Sequence, residues 1–292
     1  MGRLLVKVLI INLVFIGSLN AQNILQYRLK VGDSMTVNQQ ATQNIIKEEQ
    51  GRQHNIQNTL EEQYTFKVLS KTDSTYILNF KFNTFKLKTV SNQLGIIVDI
   101  DTKKLLEEND TEGRIFSGLT ASDLEIEMSK TGKIISVKGT EAMINKMVSL
   151  ADIEDEFTKQ LIIESIKTDF GNKTLSNSFE QLTHIYPDSL SSNDKSWKNT
   201  FTGEFNTINT WQLDKITDAI YLKADCVLNI QIQEEQTQLV LKGTQHINVI
   251  ANKKTGFINE MTVTAEAQSP KNLNNPEETP TIITSKTTYK IQ

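Results

Sequence analysis

The chain has 292 residues, 38% of them hydrophobic and 23% charged. That is enough for one large or two modest domains with a buried core, and it excludes a low-complexity or collagen-like chain. The 31 basic and 35 acidic residues leave a net charge of −4, so no electrostatic footprint for nucleic acid is present. Cys226 is the only cysteine, which excludes an intramolecular disulfide and leaves the core alone to hold the fold.

The first residues read as an export signal. Arg3 and Lys7 precede an apolar run at residues 8–17, and Ala21 is a small residue at a cleavage position before Gln22. Residues 1–21 are therefore expected to be a secretory signal peptide, with an apolar run too short for a comfortable membrane span. No cysteine follows the leader, so no lipid attachment is signalled. The expected location is the periplasm or outside the cell, with no membrane span after cleavage.

In chain order, residues 24–31 read as a strand ending at the turn Gly32-Asp33-Ser34. Residues 39–63 are rich in Gln and Asn, which predicts long solvated strands of weakly specified register. Tyr64, Phe66 and Val68 alternate, as do Tyr76, Leu78, Phe80 and Phe82, so the two runs form a hairpin across residues 71–74. Residues 95–100 add a strand, and residues 103–118 a polar loop with a short helix. Leu124, Ile126 and Met128 face one way before the turn Lys130-Thr131-Gly132.

The period changes at Gly139. Thr140 is expected to cap a helix bearing Met143, Ile144, Met147 and Val148 on one face. Asp152 is expected to cap a second helix with a stripe of Ile153, Phe157, Leu161 and Phe170. Asn177 and Ser178 are expected to open a third, stopped by Pro187. Residues 187–195 read as a linker, and strands follow to the C-terminus, interrupted by a polar loop at residues 269–280.

Two turns repeat. Lys130-Thr131-Gly132 and Lys254-Thr255-Gly256 each follow an alternating apolar run and precede a strand, with Gly where φ > 0 is needed. This predicts an α+β fold, mainly antiparallel β. Two related β-halves (curved sheets or half-barrels), at residues 22–138 and 187–292, would enclose a helical insert at 139–186.

Four stretches carry a resemblance. They are Leu29-Lys30-Val31-Gly32-Asp33, the run from Gly132 through Ile134, Val137 and Gly139 to Thr140, the passage Asp194-Lys195-Ser196-Trp197 after Pro187, and Lys254-Thr255-Gly256-Phe257-Ile258. With Asn20-Ala21-Gln22, they resemble an uncharacterised family of secreted Bacteroidota proteins, a domain of unknown function. The resemblance implies export and fold, and it brings no catalytic residues. Asp33-Ser34-Met35, Asp73-Ser74-Thr75 and Asp188-Ser189-Leu190 also resemble the short O-glycosylation acceptor of that group, which would make Ser34, Ser74 and Ser189 acceptors. Ordinary Asp-Ser turn chemistry explains their placement equally well.

No motif names a reaction. His54, His184 and His246 lack a second ligand at zinc spacing. Cys226 sits within a strand with no adjacent base, as a structural thiol does. Asp123, Glu125 and Glu127 alternate as the wet face of a strand. Asp99-Ile100-Asp101-Thr102-Lys103 starts like a calcium loop but has Lys where an oxygen ligand belongs. Trp197, Trp211 and Tyr221 serve as core anchors or, on an exposed face, as a sugar platform. No cofactor or metal is expected.

Three functions remain open. The first is a non-enzymatic envelope protein that binds an apolar or lipid-like molecule, lined by Met143, Ile144, Met147, Val148, Phe157 and Leu161. The second is an interaction module that offers residues 39–63 to an envelope protein for strand addition. The third is a hydrolase with dispersed carboxylates, which no spacing supports.

Overall fold

The computed structural model describes residues 25–49, 51–106, 110–188, 195–202, 205–234, 237–270 and 280–292. The expected leader lies outside the described residues. The elements run β1 (Ser34–Glu49), β2 (Arg52–Lys71), β3 (Thr75–Ser91), β4 (Gly95–Asp101), α1 (Thr111–Thr120), β5 (Asp123–Ser129) and β6 (Ile134–Lys138). Then come α2 (Thr140–Leu150), α3 (Glu156–Phe170), α4 (Asn172–Thr183), β7 (Ser196–Phe201) and β8 (Phe205–Ile216). The chain closes with β9 (Ala219–Glu234), β10 (Thr237–Asn252), β11 (Ile258–Gln268) and β12 (Ile282–Ile291).

The fold is α+β and mainly antiparallel, as the alternation predicts. The strands form one open, curved sheet in the order β6-β5-β3-β2-β1-β12-β11-β10-β9-β8-β7, with β4 beside β3. The two β-halves meet through β1 and β12, paired antiparallel from Val37–Ile291 to Ile46–Ile282. This placement corrects the strand-addition expectation. The Gln- and Asn-rich ribbon at 39–63 lies mid-sheet, β1 between β12 and β2, and β2 between β1 and β3. Its backbone groups are consumed by neighbours, so it presents no edge. Side-chain amides lace it together: Gln63 Nε2 donates to Asn38 Oδ1 at 3.0 Å, and Asn58 Nδ2 to Gln43 Oε1 at 2.8 Å.

Both Lys-Thr-Gly turns close on the same short segment. The Tyr27 amide donates to the Lys130 carbonyl at 2.7 Å, and the Arg28 amide to the Thr255 carbonyl at 2.7 Å. Gly132 has φ +96° and Gly256 φ +74°. A Cβ at Gly132 would lie 1.9 Å from the Thr183 oxygen, and one at Gly256 2.2 Å from the Gln26 oxygen. Glycine is therefore required twice over, by conformation and by close approach. The end of α4 completes the knot. The Thr183 hydroxyl donates to the Gly132 carbonyl at 2.6 Å, and the Tyr186 hydroxyl to the Gly256 carbonyl at 2.6 Å. The Tyr27 ring sits between, edge-on to Tyr186 at 5.2 Å and 5.9 Å from Phe257.

The helices pack on the N-terminal half. Phe179 of α4 meets Phe80 at 4.6 Å and Phe66 at 6.1 Å, and Phe116 of α1 stacks on Phe85 at 4.9 Å. Their boundaries differ from expectation. Gly139, left-handed at φ +95°, occupies the N-cap of α2, and Thr140 follows as its first residue. Asp155, not Asp152, caps α3, accepting from the Thr158 amide at 2.7 Å. Gly171 breaks the chain before α4, which starts at Asn172, five residues earlier than expected.

The α3 stripe is also corrected. Phe157 and Leu161 are 73% and 56% exposed. Ile153 and Phe170 pack on the core as expected, joined there by Ile162, Ile163 and Ile166 in place of Phe157 and Leu161. One residue is 100° around a helix, so two apolar stripes coexist on α3 and tertiary packing selects one. Among the described residues no helix is long and apolar enough to cross a membrane.

Candidate functional site

The sheet's two faces differ in chemistry because the pleat sends alternate residues to opposite sides. Register aligns the inner side chains into rows that cross both halves. One row runs Leu87–Leu60–Ala41–Thr287–Val263–Ile247–Ala224–Trp211–Trp197. The next runs Thr89–Asn58–Gln43–Ser285–Ala265–Gln245–Cys226–Asn209–Asn199 through the same pairings. An apolar row thus lies beside a polar one.

On β1–β3 these rows floor a cleft of about 370 Å³, lined by Ala41, Leu60, Leu87, Gln43, Asn58 and Thr89. That volume falls in the range of small-molecule sites, roughly 300–1,000 Å³. Its polar side is internally bonded, for Thr89 Oγ1 donates to Asn58 Oδ1 at 2.8 Å and Asn58 passes the chain to Gln43. One row toward the helices stands Glu62, opposite Gln39 and Phe85. Burial pushes its carboxyl up to about 7. Burial first, and then the Glu62 charge, raise the neighbouring Tyr289 hydroxyl as well.

At the far edge the polar row is left incomplete. Asn199 is fully used, its Nδ2 donating to the His184 carbonyl at 2.5 Å and its Oδ1 accepting from Trp211 Nε1 at 3.1 Å. The buried Asn209 Oδ1, Thr207 Oγ1 and Trp197 Nε1 have no hydrogen-bond partner among the described residues. Sequence reasoning missed Glu62, Thr207 and Asn209. Their one signal is a polar residue at an inner position of an alternating strand.

The expected residues fall as follows. Met143, Ile144, Met147 and Val148 are each no more than 2% exposed, packed within the main core rather than on the cleft. Trp211 is 1% exposed and Trp197 stacks on it at 6.3 Å, a core pair rather than an open platform. His54 is buried against Ser91 Oγ at 2.7 Å. His184 caps α4 between Glu180 and Asp188. His246 is exposed and pairs with Asp225 at 2.7 Å. Glu125 pairs with Lys138 at 2.8 Å. Asp101 Oδ1 accepts from the Lys103 amide at 3.0 Å in an ordinary turn. Ser34 and Ser74 are exposed, while Ser189 lies outside the described residues. No group of His, Cys, Asp and Glu that could hold a metal occurs among the described residues.

Cys226 is buried on the inner face, with Gln245 Nε2 donating to its Sγ at 3.8 Å. Burial pushes its thiol up to about 11, with the Gln245 hydrogen bond pulling the other way and the Asp225 charge adding to the rise. Alkylation at pH 8 is expected to be on the order of a hundredfold slower in the native protein than in urea, because the thiolate is the reactive form. Equal rates by mass spectrometry would show that the thiol is accessible and ionised.

No curated protein matches this chain. Among solved structures it is similar to a chain from "Lipid-protein interactions in lipovitellin", with a TM-score of 0.56 and 11% identity over 91% of this chain. The match spans 25% of the lipovitellin chain, and the likeness is one of fold. DynF, from the dynemicin biosynthesis pathway of Micromonospora chersina, aligns at a TM-score of 0.25 and 4% identity over 93% of this chain and 85% of its own. That alignment is too loose to bear on the fold. A family described as a "Family of unknown function (DUF6263)" matches residues 73–258, well over half of the 292. The chain belongs to this DUF6263 family.

Proposed function

We propose that the protein is an exported, non-enzymatic carrier that holds a lipid-like molecule against the inner face of its sheet. The observation that carries this reading is the cleft of about 370 Å³, in which Ala41, Leu60 and Leu87 form an apolar floor beside a hydrogen-bonded Gln43–Asn58–Thr89 edge. An amphiphile fits such a surface, since apolar area drives burial and a few placed polar groups set orientation. The shared fold with a protein whose structure was described for lipid–protein interactions is consistent with this reading. The leader-like residues 1–21 motivate the export. Met143, Ile144, Met147 and Val148 act as the packed wall behind the sheet rather than as the lining.

The test is equilibrium binding of an acyl probe such as oleamide to the full chain, with lipid mass spectrometry of the purified protein. Leu87→Arg places a charge on the cleft floor and is expected to weaken the probe by at least about tenfold, since an unpaired charge against an apolar ligand is costly. The half-buried position lets the Arg head reach water when the cleft is empty, so the fold survives. Unchanged affinity in a folded Leu87→Arg protein, or no binding by the parent, ends the reading.

A further inference from the structure

We infer that the inner face of β7 and β8 receives an uncharged polar head, an amide or a hydroxyl, through Trp197, Thr207 and Asn209. The inference rests on the carrier reading and names the class of its ligand.

Thr207 and Asn209 are 6% and 3% exposed. They lie two residues apart on β8, so both point inward. Trp197 stands on β7 opposite Trp211, which makes it the diagonal neighbour of Asn209, roughly 7–8 Å away. The Asn209 oxygen therefore lies along β8 between the Trp197 indole donor on one side and the Thr207 hydroxyl on the other, and none of the three has a hydrogen-bond partner among the described residues. Leaving such groups unpaired is costly, and native structures rarely do so without a ligand or water. The contrast with Asn199 is sharp: it shares the row and has both ends bonded within the protein.

The set dictates the class of the group it would meet. A donor beside acceptors matches a group that both accepts and donates. Among the described side chains, no inner position of β7–β12 carries a charge. A carboxylate or ammonium head would be desolvated there without a counter-ion, which disfavours both. Asn209 and the cleft share one register row. Between them lie Cys226, Gln245, Ala265 and Ser285. Five strand spacings of about 4.8 Å separate β8 from β1, so a head at β8 and a tail in the cleft would lie along one register row of the same face.

The experiment compares oleamide, oleate and 1-octadecene on the full chain by equilibrium dialysis. Oleamide is expected to bind about tenfold tighter than octadecene, and oleate no tighter than octadecene. The pair Thr207→Val with Asn209→Leu is expected to erase the oleamide preference, so that oleamide and octadecene bind the variant alike. On the parent protein, the Trp197 indole N–H resonance is expected to move with oleamide and stay with octadecene, a readout that needs no variant. Octadecene and oleamide binding equally, oleate binding best, a preference that survives the double variant, or a resonance indifferent to oleamide would each overturn the inference while the carrier reading stands. Failure of all three probes to bind would overturn both.

Discussion

Tyr27→Ala is expected to destabilise the protein by about 3–5 kcal/mol, as removal of a buried aromatic ring does. Tyr27 is wholly buried, and it joins three parts of the chain far apart in sequence. Its hydroxyl donates to the Thr183 carbonyl at 2.8 Å, its carbonyl accepts from the Tyr76 hydroxyl at 2.9 Å, and its amide holds the Lys130 carbonyl. Burial raises the phenol, with the neighbouring Tyr186 adding to it, so the group stays a neutral donor. Tyr27→Phe keeps the ring and removes one hydrogen bond, and is expected to cost about 1–2 kcal/mol. Urea melts of the two variants separate ring from hydroxyl. In thermal melts Tyr27→Ala should lie lower by on the order of 10 °C. Should Tyr27→Ala melt with the parent, the two Lys-Thr-Gly turns are held by the backbone bonds of this segment and not by the Tyr27 ring and hydroxyl.

Glu62→Gln is expected to stabilise the protein at pH 8 and to leave it almost unchanged at pH 4. Burial raises the folded carboxyl from the ordinary 4.5 to about 7. Below pH 4.5 the carboxyl is protonated in both states and contributes nothing. Between about 4.5 and 7 the unfolded chain ionises first, so folding loses stability as the pH rises through that window. Above 7 the loss is constant. A shift of this size corresponds to an upper bound of about 3 kcal/mol, and the side chain's partial exposure lowers it to about 1–3 kcal/mol. Glutamine carries no such titration, so the gap between variant and parent in urea melts should open from pH 4 to pH 8. A gap independent of pH would mean that Glu62 titrates in the folded protein as it does in the unfolded chain.

A half-buried carboxyl whose pKa is raised by burial is an expected mark of a site kept at some cost in stability. Glu62 lies one register step from Leu60 and the cleft. The orphaned Thr207 and Asn209 belong to the same inner surface. Replacing such groups with apolar ones usually helps a fold, so their presence and the cleft point the same way.

The sequence by itself determined most of the strands, because a period of two is a local property that needs no partner; the exception is the strand expected at residues 24–31, whose described residues 25–30 are irregular and bond to the two turns instead. Tyr64, Phe66, Val68, Tyr76, Leu78 and Phe80 all lie inside, as their alternation requires. It determined the two turns, because glycine alone enters φ near +74° to +96° without steric cost. It determined the change to helix at Gly139, although helix starts shifted by up to five residues where Gly139 and Gly171 rather than capping side chains set the break.

Only the tertiary structure decided what each face meets. Phe157 and Leu161 form as good a stripe as Ile162 and Ile166, and the choice belongs to the neighbours of α3. Residues 39–63 have the composition of a free ribbon, and pairing with β12 and β3 places them mid-sheet. Asn199 and Asn209 are the same residue at equivalent inner positions, yet the amide oxygen of one is bonded and that of the other has no partner among the described residues. The reason is physical: alternation says which side chains share a face, while cover, partners and dielectric come from segments that can lie more than two hundred residues away in the chain.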